Sequence, residues 1–143
     1  MSDVTGLAAL IGRLLFAYFF GVVAGIGHFK KDEQMRGYAV QAGFPVPAVA
    51  GWVAGVWLIA GAVSVGLGIW PDLGALMIGV FVIPAALFFH RFWSMEDAAM
   101  RATQRQAFDR NLLILGASLV FFGTFVALGS GLRFTITAPL FTF

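Results

Sequence analysis

Four long stretches of this 143-residue chain carry no Asp, Glu, Lys or Arg: Leu14–Gly27, Gly37–Pro71, Leu73–Phe89 and Leu112–Leu132. A bilayer core about 30 Å thick takes roughly 20 apolar residues in a helix to cross. The second and fourth stretches meet that length outright. The first does so when extended back through Arg13 to about Val4, and the third when it runs on to Trp93. The sequence therefore predicts an all-α integral membrane protein. Its expected form is a four-helix bundle with helices over about residues 4–29, 47–70, 73–93 and 109–132.

The composition agrees, with 60% hydrophobic and 11% charged residues against about 25% charged in a typical soluble domain. A single transmembrane domain over residues 1–143 is expected, in contact with the lipid bilayer. The net charge of +2 comes from loop Arg and Lys residues, which in such a protein set topology. No basic run exceeds Lys30-Lys31, so a nucleic-acid partner is not expected. With no cysteine, thiolate catalysis, disulfides and Cys-ligated iron–sulfur or zinc sites are excluded. The start, Met-Ser-Asp-Val-Thr, lacks the basic n-region of a secretory signal, so the first helix is read as retained.

The short link Trp70-Pro71-Asp72-Leu73 makes the second and third helices antiparallel neighbours. In loop one, the spacing of Met35, Tyr38, Ala39 and Ala42 suits a short interfacial helix between Glu33 and Ala42. Gly43-Phe44-Pro45-Val46-Pro47 then ends that element and starts the next. In loop three, Ser94 reads as an N-cap with Glu96 and Asp97 in the first turn, and Asp97 and Arg101 are spaced to pair. That loop is expected to form a helical extension feeding the fourth helix. Pro84 should kink the third helix, and Gly21–Gly25 and Gly51–Gly55 permit close helix approach. Trp52, Trp70 and Trp93 fall near helix ends, as interfacial anchors do, whereas Trp57 lies deeper. The apolar tail, residues 133–143, is rich in strand-favouring types and is expected to lie along a partner or the membrane surface.

Loops one and three together hold Lys30, Lys31, Arg36, Arg91, Arg101, Arg105 and Arg110, while the opposite side has only Arg133. That asymmetry predicts a multi-pass protein of the cytoplasmic membrane with both termini on the non-cytoplasmic side.

Arg13 is the least expected residue. From a start near Val4 it lies about 14 Å along the helix, close to mid-bilayer, where insertion costs about 2.5–3.5 kcal/mol. Either it serves an anion, quinone-carbonyl or cofactor site, or its guanidinium snorkels to the interface. His28 and His90, the two histidines, end parallel helices and so reach the same side of the membrane. Phe29 flanks the first; Phe88, Phe89, Phe92 and Trp93 flank the second. Imidazoles walled by aromatics suit a quinone, with haem a less favoured ligand. The plainer alternative is two ordinary interfacial histidines. No Gly-rich phosphate loop, His-Glu-x-x-His pattern or hydrolase triad is present.

An ordered set of motifs carries a resemblance. It comprises Gly12-Arg13-Leu14-Leu15, Gly25-Ile26-Gly27-His28-Phe29-Lys30, Tyr38, Ala42-Gly43-Phe44-Pro45-Val46-Pro47, Phe88-Phe89-His90-Arg91-Phe92-Trp93 and Arg110-Asn111-Leu112-Leu113-Ile114-Leu115-Gly116. Over roughly residues 7–125 the chain resembles the DoxX family of small four-helix membrane proteins. Such proteins commonly carry a glutamate in the second helix, in a Gly-x-x-Glu context. Here Gly55-Val56-Trp57-Leu58 places tryptophan there, leaving Arg13 without that acidic partner. The resemblance implies a membrane subunit near quinone chemistry, as in thiosulfate:quinone oxidoreductase systems and assemblies related to thiol or oxidative stress.

The function expected is therefore an accessory or anchoring subunit of a larger, redox-linked membrane complex, in preference to an enzyme by itself. Other membrane subunits are its expected partners. The alternative is a quinone-reactive oxidoreductase subunit using Arg13, His28, His90 and Trp93 as contacts, with no metal site. A small transporter is weaker, for want of an inverted repeat.

Overall fold

The computed structural model describes residues 1–142 and is helical, with no strand among them. Phe143, the last residue of the expected tail, lies outside the described residues. Helix α1 runs Asp3–Lys30, opening on the Ser2 side chain, which accepts from the Thr5 amide, and containing a π-helical stretch Tyr18–Gly25. Helix α2 (Asp32–Gln41) occupies loop one. A 3₁₀ turn, Pro47–Val49, precedes α3 (Trp52–Leu67). Helix α4 (Pro71–Pro84) continues as a π turn, Ala85–Phe89, and α5 (Ala98–Leu128) is followed by a 3₁₀ turn, Gly129–Gly131.

Three helical segments are long and apolar enough to cross a membrane: Asp3–Lys30, Pro71–Ser94 and Ala98–Gly131. The helix expected over 47–70 is shorter, at 16 residues in α3, about 24 Å of rise. Glycines bound it. Gly51 has a non-helical backbone, and Gly68 takes the left-handed conformation at φ 67° that a C-cap favours. The Asp32 carboxylate accepts from the Trp52 amide at 2.8 Å and also pairs with Arg36 at 2.8 Å, so α2 caps α3.

Loop three departs from expectation in two linked details. The N-cap of α5 is Asp97, accepting from the Met100 amide at 2.8 Å, and Ser94 instead donates back to the Arg91 carbonyl. With its carboxylate engaged as a cap, Asp97 does not pair with Arg101, which donates to the Met95 and Glu96 carbonyls. The helical lead into the fourth apolar segment does form, since α5 is continuous from Ala98.

The core lies between α1, α3, α4 and α5, around Phe20, Leu58, Val65, Ile78, Val82 and Phe125. Helix α3 packs between α1 and α4, α4 packs on α5, and the Phe16 ring meets Phe121 at 5.0 Å to bring α1 against α5. Backbones touch where α1 crosses α3. A Cβ placed on Gly55 would lie 2.8 Å from the Gly25 carbonyl oxygen and 3.0 Å from the Phe29 nitrogen. Only glycine allows that approach.

The tail forms no strand among the described residues and is held by its own chain. Residues 133–142 fold back across the α3–α4 turn of the same chain. The Gly68 carbonyl accepts from the Ile136 and Thr137 amides, each at 3.0 Å, and the Trp70 amide donates to Thr137 Oγ1 at 2.7 Å. Asp72, fully buried in the first turn of α4, accepts from the Leu140 and Phe141 amides at 2.9 and 2.7 Å. Arg13, also fully buried, donates from Nη2 to the Phe134 carbonyl at 2.6 Å. The guanidinium is thus held inside the protein and does not snorkel.

Hydrogen bonds to a buried carboxylate contribute about 1.5–3 kcal/mol each. Asp72→Ala leaves two amides without their acceptor, and a loss of about 2–4 kcal/mol is expected on that basis. Trypsin cleavage after the exposed Arg133 should then accelerate at least about tenfold, because cleavage follows local opening. Unchanged cleavage and melting would refute the latch.

Candidate functional site

A cavity of about 540 Å³ lies at the end of the helices next to α2, within the range of small-molecule sites. Its wall is mostly aromatic and aliphatic, with Phe19 and Phe20 from α1, Phe44 from loop one, and Phe81 and Phe89 from the α4 region. Both π-helical stretches contribute, Tyr18–Gly25 through Phe19, Phe20 and Ala24, and Ala85–Phe89 through its two end residues. An inserted residue of this kind turns side chains away from the regular helical faces and recurs at ligand sites. Pro84 sits where α4 changes from α to π winding, as its missing donor would cause.

Both histidines line this one cavity. His28 lies one turn beyond the Gly25–Gly55 contact, with its ring edge-on to Phe81 at 5.6 Å. His28 Nδ1 is 2.9 Å from the Ala24 carbonyl, which only accepts, so Nδ1 carries the proton. His90 ends the π turn, where the backbone leaves helical geometry, and its Nδ1 lies 2.9 Å from Gln104 Oε1 on α5. The other two candidates lie elsewhere. Arg13 is bound to the tail and is not on the cavity wall. Trp93 is 54% exposed, edge-on to Phe92 and Phe108, and does not line the cavity.

Several polar lining residues were not singled out as site residues from sequence. Trp57 donates from Nε1 to the Met77 carbonyl at 2.7 Å, which explains a tryptophan too deep to be an anchor. Tyr38 on α2 donates to the Phe89 carbonyl at 3.0 Å, and Asn111 donates to the Ala107 carbonyl at 3.1 Å. Arg110 joins them from α5. Tyr38 and Arg110-Asn111 belong to the quoted motifs, the one signal that marked them in advance. No group of three or more His, Cys, Asp or Glu residues that could hold a metal ion occurs among the described residues. What the polar side chains on this wall offer is hydrogen bonding and proton exchange by imidazole, in an apolar enclosure.

No curated protein and no solved structure matched the chain. The family model of DoxX matches residues 8–91. That segment holds Arg13, His28 and His90 and stops short of Trp93 and of Arg110-Asn111. It covers more than half of the chain, and the protein belongs to the DoxX family.

Proposed function

We propose that this chain is a membrane-embedded subunit of a redox-linked complex and that its own task is to hold a quinone-class lipid in the aromatic cavity. One observation carries the reading: His28 and His90, far apart in sequence, line the same 540 Å³ apolar enclosure. A flat aromatic head suits walls of Phe19, Phe44, Phe81 and Phe89. An imidazole at the rim supplies a polar contact that fixes the head's orientation. The accessory role is the one expected of DoxX-like proteins, and it makes the cavity a place where a partner subunit meets its lipid-soluble cosubstrate.

The same reading includes four membrane spans. Helix α3 is the short one, and it is lodged between α1 and α4 and preceded by the Pro47–Val49 turn. Loops one and three, which carry the basic residues, face the cytoplasm, and so does the cavity. The termini and the tail latch face the other side.

Two outcomes are expected. Short-tailed menadione and menadiol, titrated against purified protein by quenching of Trp57 fluorescence, should bind saturably. His90→Ala should weaken the tighter-binding form by about two- to tenfold, one hydrogen bond's worth. No binding, or unchanged binding in His90→Ala, would leave only the anchoring role. For orientation, Ser2→Cys should react with an impermeant thiol reagent from outside the cytoplasmic membrane while Thr103→Cys stays protected. The reverse pattern would invert the topology.

A further inference from the structure

The cavity wall has a hydrogen-bonding polarity. Trp57 Nε1 is committed to the Met77 carbonyl, Tyr38 Oη to the Phe89 carbonyl, and His28 Nδ1 to the Ala24 carbonyl. His90 Nδ1 is committed to Gln104 Oε1, and one Asn111 amide hydrogen to the Ala107 carbonyl. Each of these five lining side chains directs a donor at an oxygen of the protein itself. What they retain is mostly acceptor capacity, on Nε2 of each imidazole whose proton sits on Nδ1, on the Tyr38 oxygen and on Asn111 Oδ1, with the second Asn111 amide hydrogen as the one donor left among them. Full donor capacity remains on the Arg110 guanidinium, which is exposed at the cavity's α5 edge and makes no side-chain hydrogen bond or ion pair among the described residues.

A ligand that only accepts, such as a quinone with its two carbonyls, finds few donors among these groups. A ligand that donates finds several acceptors and leaves none of its own hydroxyls unpaired, and an unpaired buried hydroxyl is costly. We propose that the cavity selects the hydroxyl-bearing, reduced member of a quinone couple, with His28 Nε2 and His90 Nε2 accepting from the two hydroxyls. This rests on the quinone-class reading above and adds its redox preference. No electron transfer is implied. The chain binds and orients the quinol and holds two bases next to the protons that any subsequent oxidation has to remove.

The test uses the full-length protein in detergent, anaerobically, at about pH 8.5, above the ordinary imidazole range. Menadiol, menadione and menadiol dimethyl ether are titrated in parallel. Menadiol should bind roughly tenfold tighter than menadione, as one to two additional hydrogen bonds give. The dimethyl ether, which keeps the reduced ring but has no donor, should bind no better than menadione. In the double variant His28→Leu, His90→Leu the preference should fall to near unity. The wild-type comparison of the three ligands decides the matter even if that variant fails to fold. Equal binding of menadiol and menadione, tighter binding of menadione, or a dimethyl ether as tight as menadiol would overturn the redox preference while leaving a quinone-class site. Failure of all three to bind would overturn this inference together with the reading beneath it.

Discussion

In apolar surroundings a polar group that water cannot reach has to find its partner within the protein, and the structure of this chain is organised by that requirement. Arg13 Nη2 reaches the Phe134 carbonyl, the Asp72 carboxylate takes two amides of the tail, and Ser64 donates to the Ile69 and Trp70 carbonyls at the α3–α4 turn. Around the cavity the same solution recurs, with Trp57, Tyr38, His28 and Asn111 all donating to backbone oxygens. The exceptions among the described residues are few: Arg13 Nε and Nη1 and Ser118 Oγ are buried without a hydrogen bond. The tail is thereby part of the helical core's polar pairing, although it has no regular structure of its own.

The two ends of the molecule divide the work. At one end Asp72, Gly68 and Arg13 tie the tail over the α3–α4 turn. Gly68 is required there twice over, by its φ of 67° and by Thr135, whose side chain would lie 2.6 Å from an added Cβ. At the other end, the Gly25–Gly55 crossing brings α1 against α3 just before His28. The two π-helical stretches then redirect Phe19, Phe20 and Phe89 to the cavity. Close packing and local unwinding lie next to each other, which keeps a sizeable apolar space open inside an otherwise dense array of helices.

Much of this was legible in the sequence, for identifiable reasons. Charge-free runs locate the long helices because lipid tolerates little else, and Leu112–Leu132 lies almost wholly within α5. The ordered motifs, which include both His28 and His90, were enough to indicate the family. Arg13 was recognisable as anomalous, but its partner was not. The partner is a backbone carbonyl 121 residues away, and carbonyls carry no sequence signature. The tail's attachment to its own chain was illegible for the same reason, since what holds it is mostly its own amides, received by Asp72 and Gly68. Ser94 lost the capping role to Asp97 because both are good caps and only the backbone path between them decides. The π-helical stretches have no composition that distinguishes them from ordinary apolar helix.

The central claim is that the enclosure lined by His28 and His90 is where an aromatic redox lipid sits. Photolabelling with an azidoquinone, applied to the protein in native membranes and followed by peptide mapping, tests it most directly. The account predicts saturable label, displaced by excess menadiol, on the segment around Ala24–His28 and on Phe81–His90. Label concentrated instead along the outer groove between Leu14–Ile26 and Ile59–Leu67, or spread over the lipid-facing surface without displacement, would contradict it.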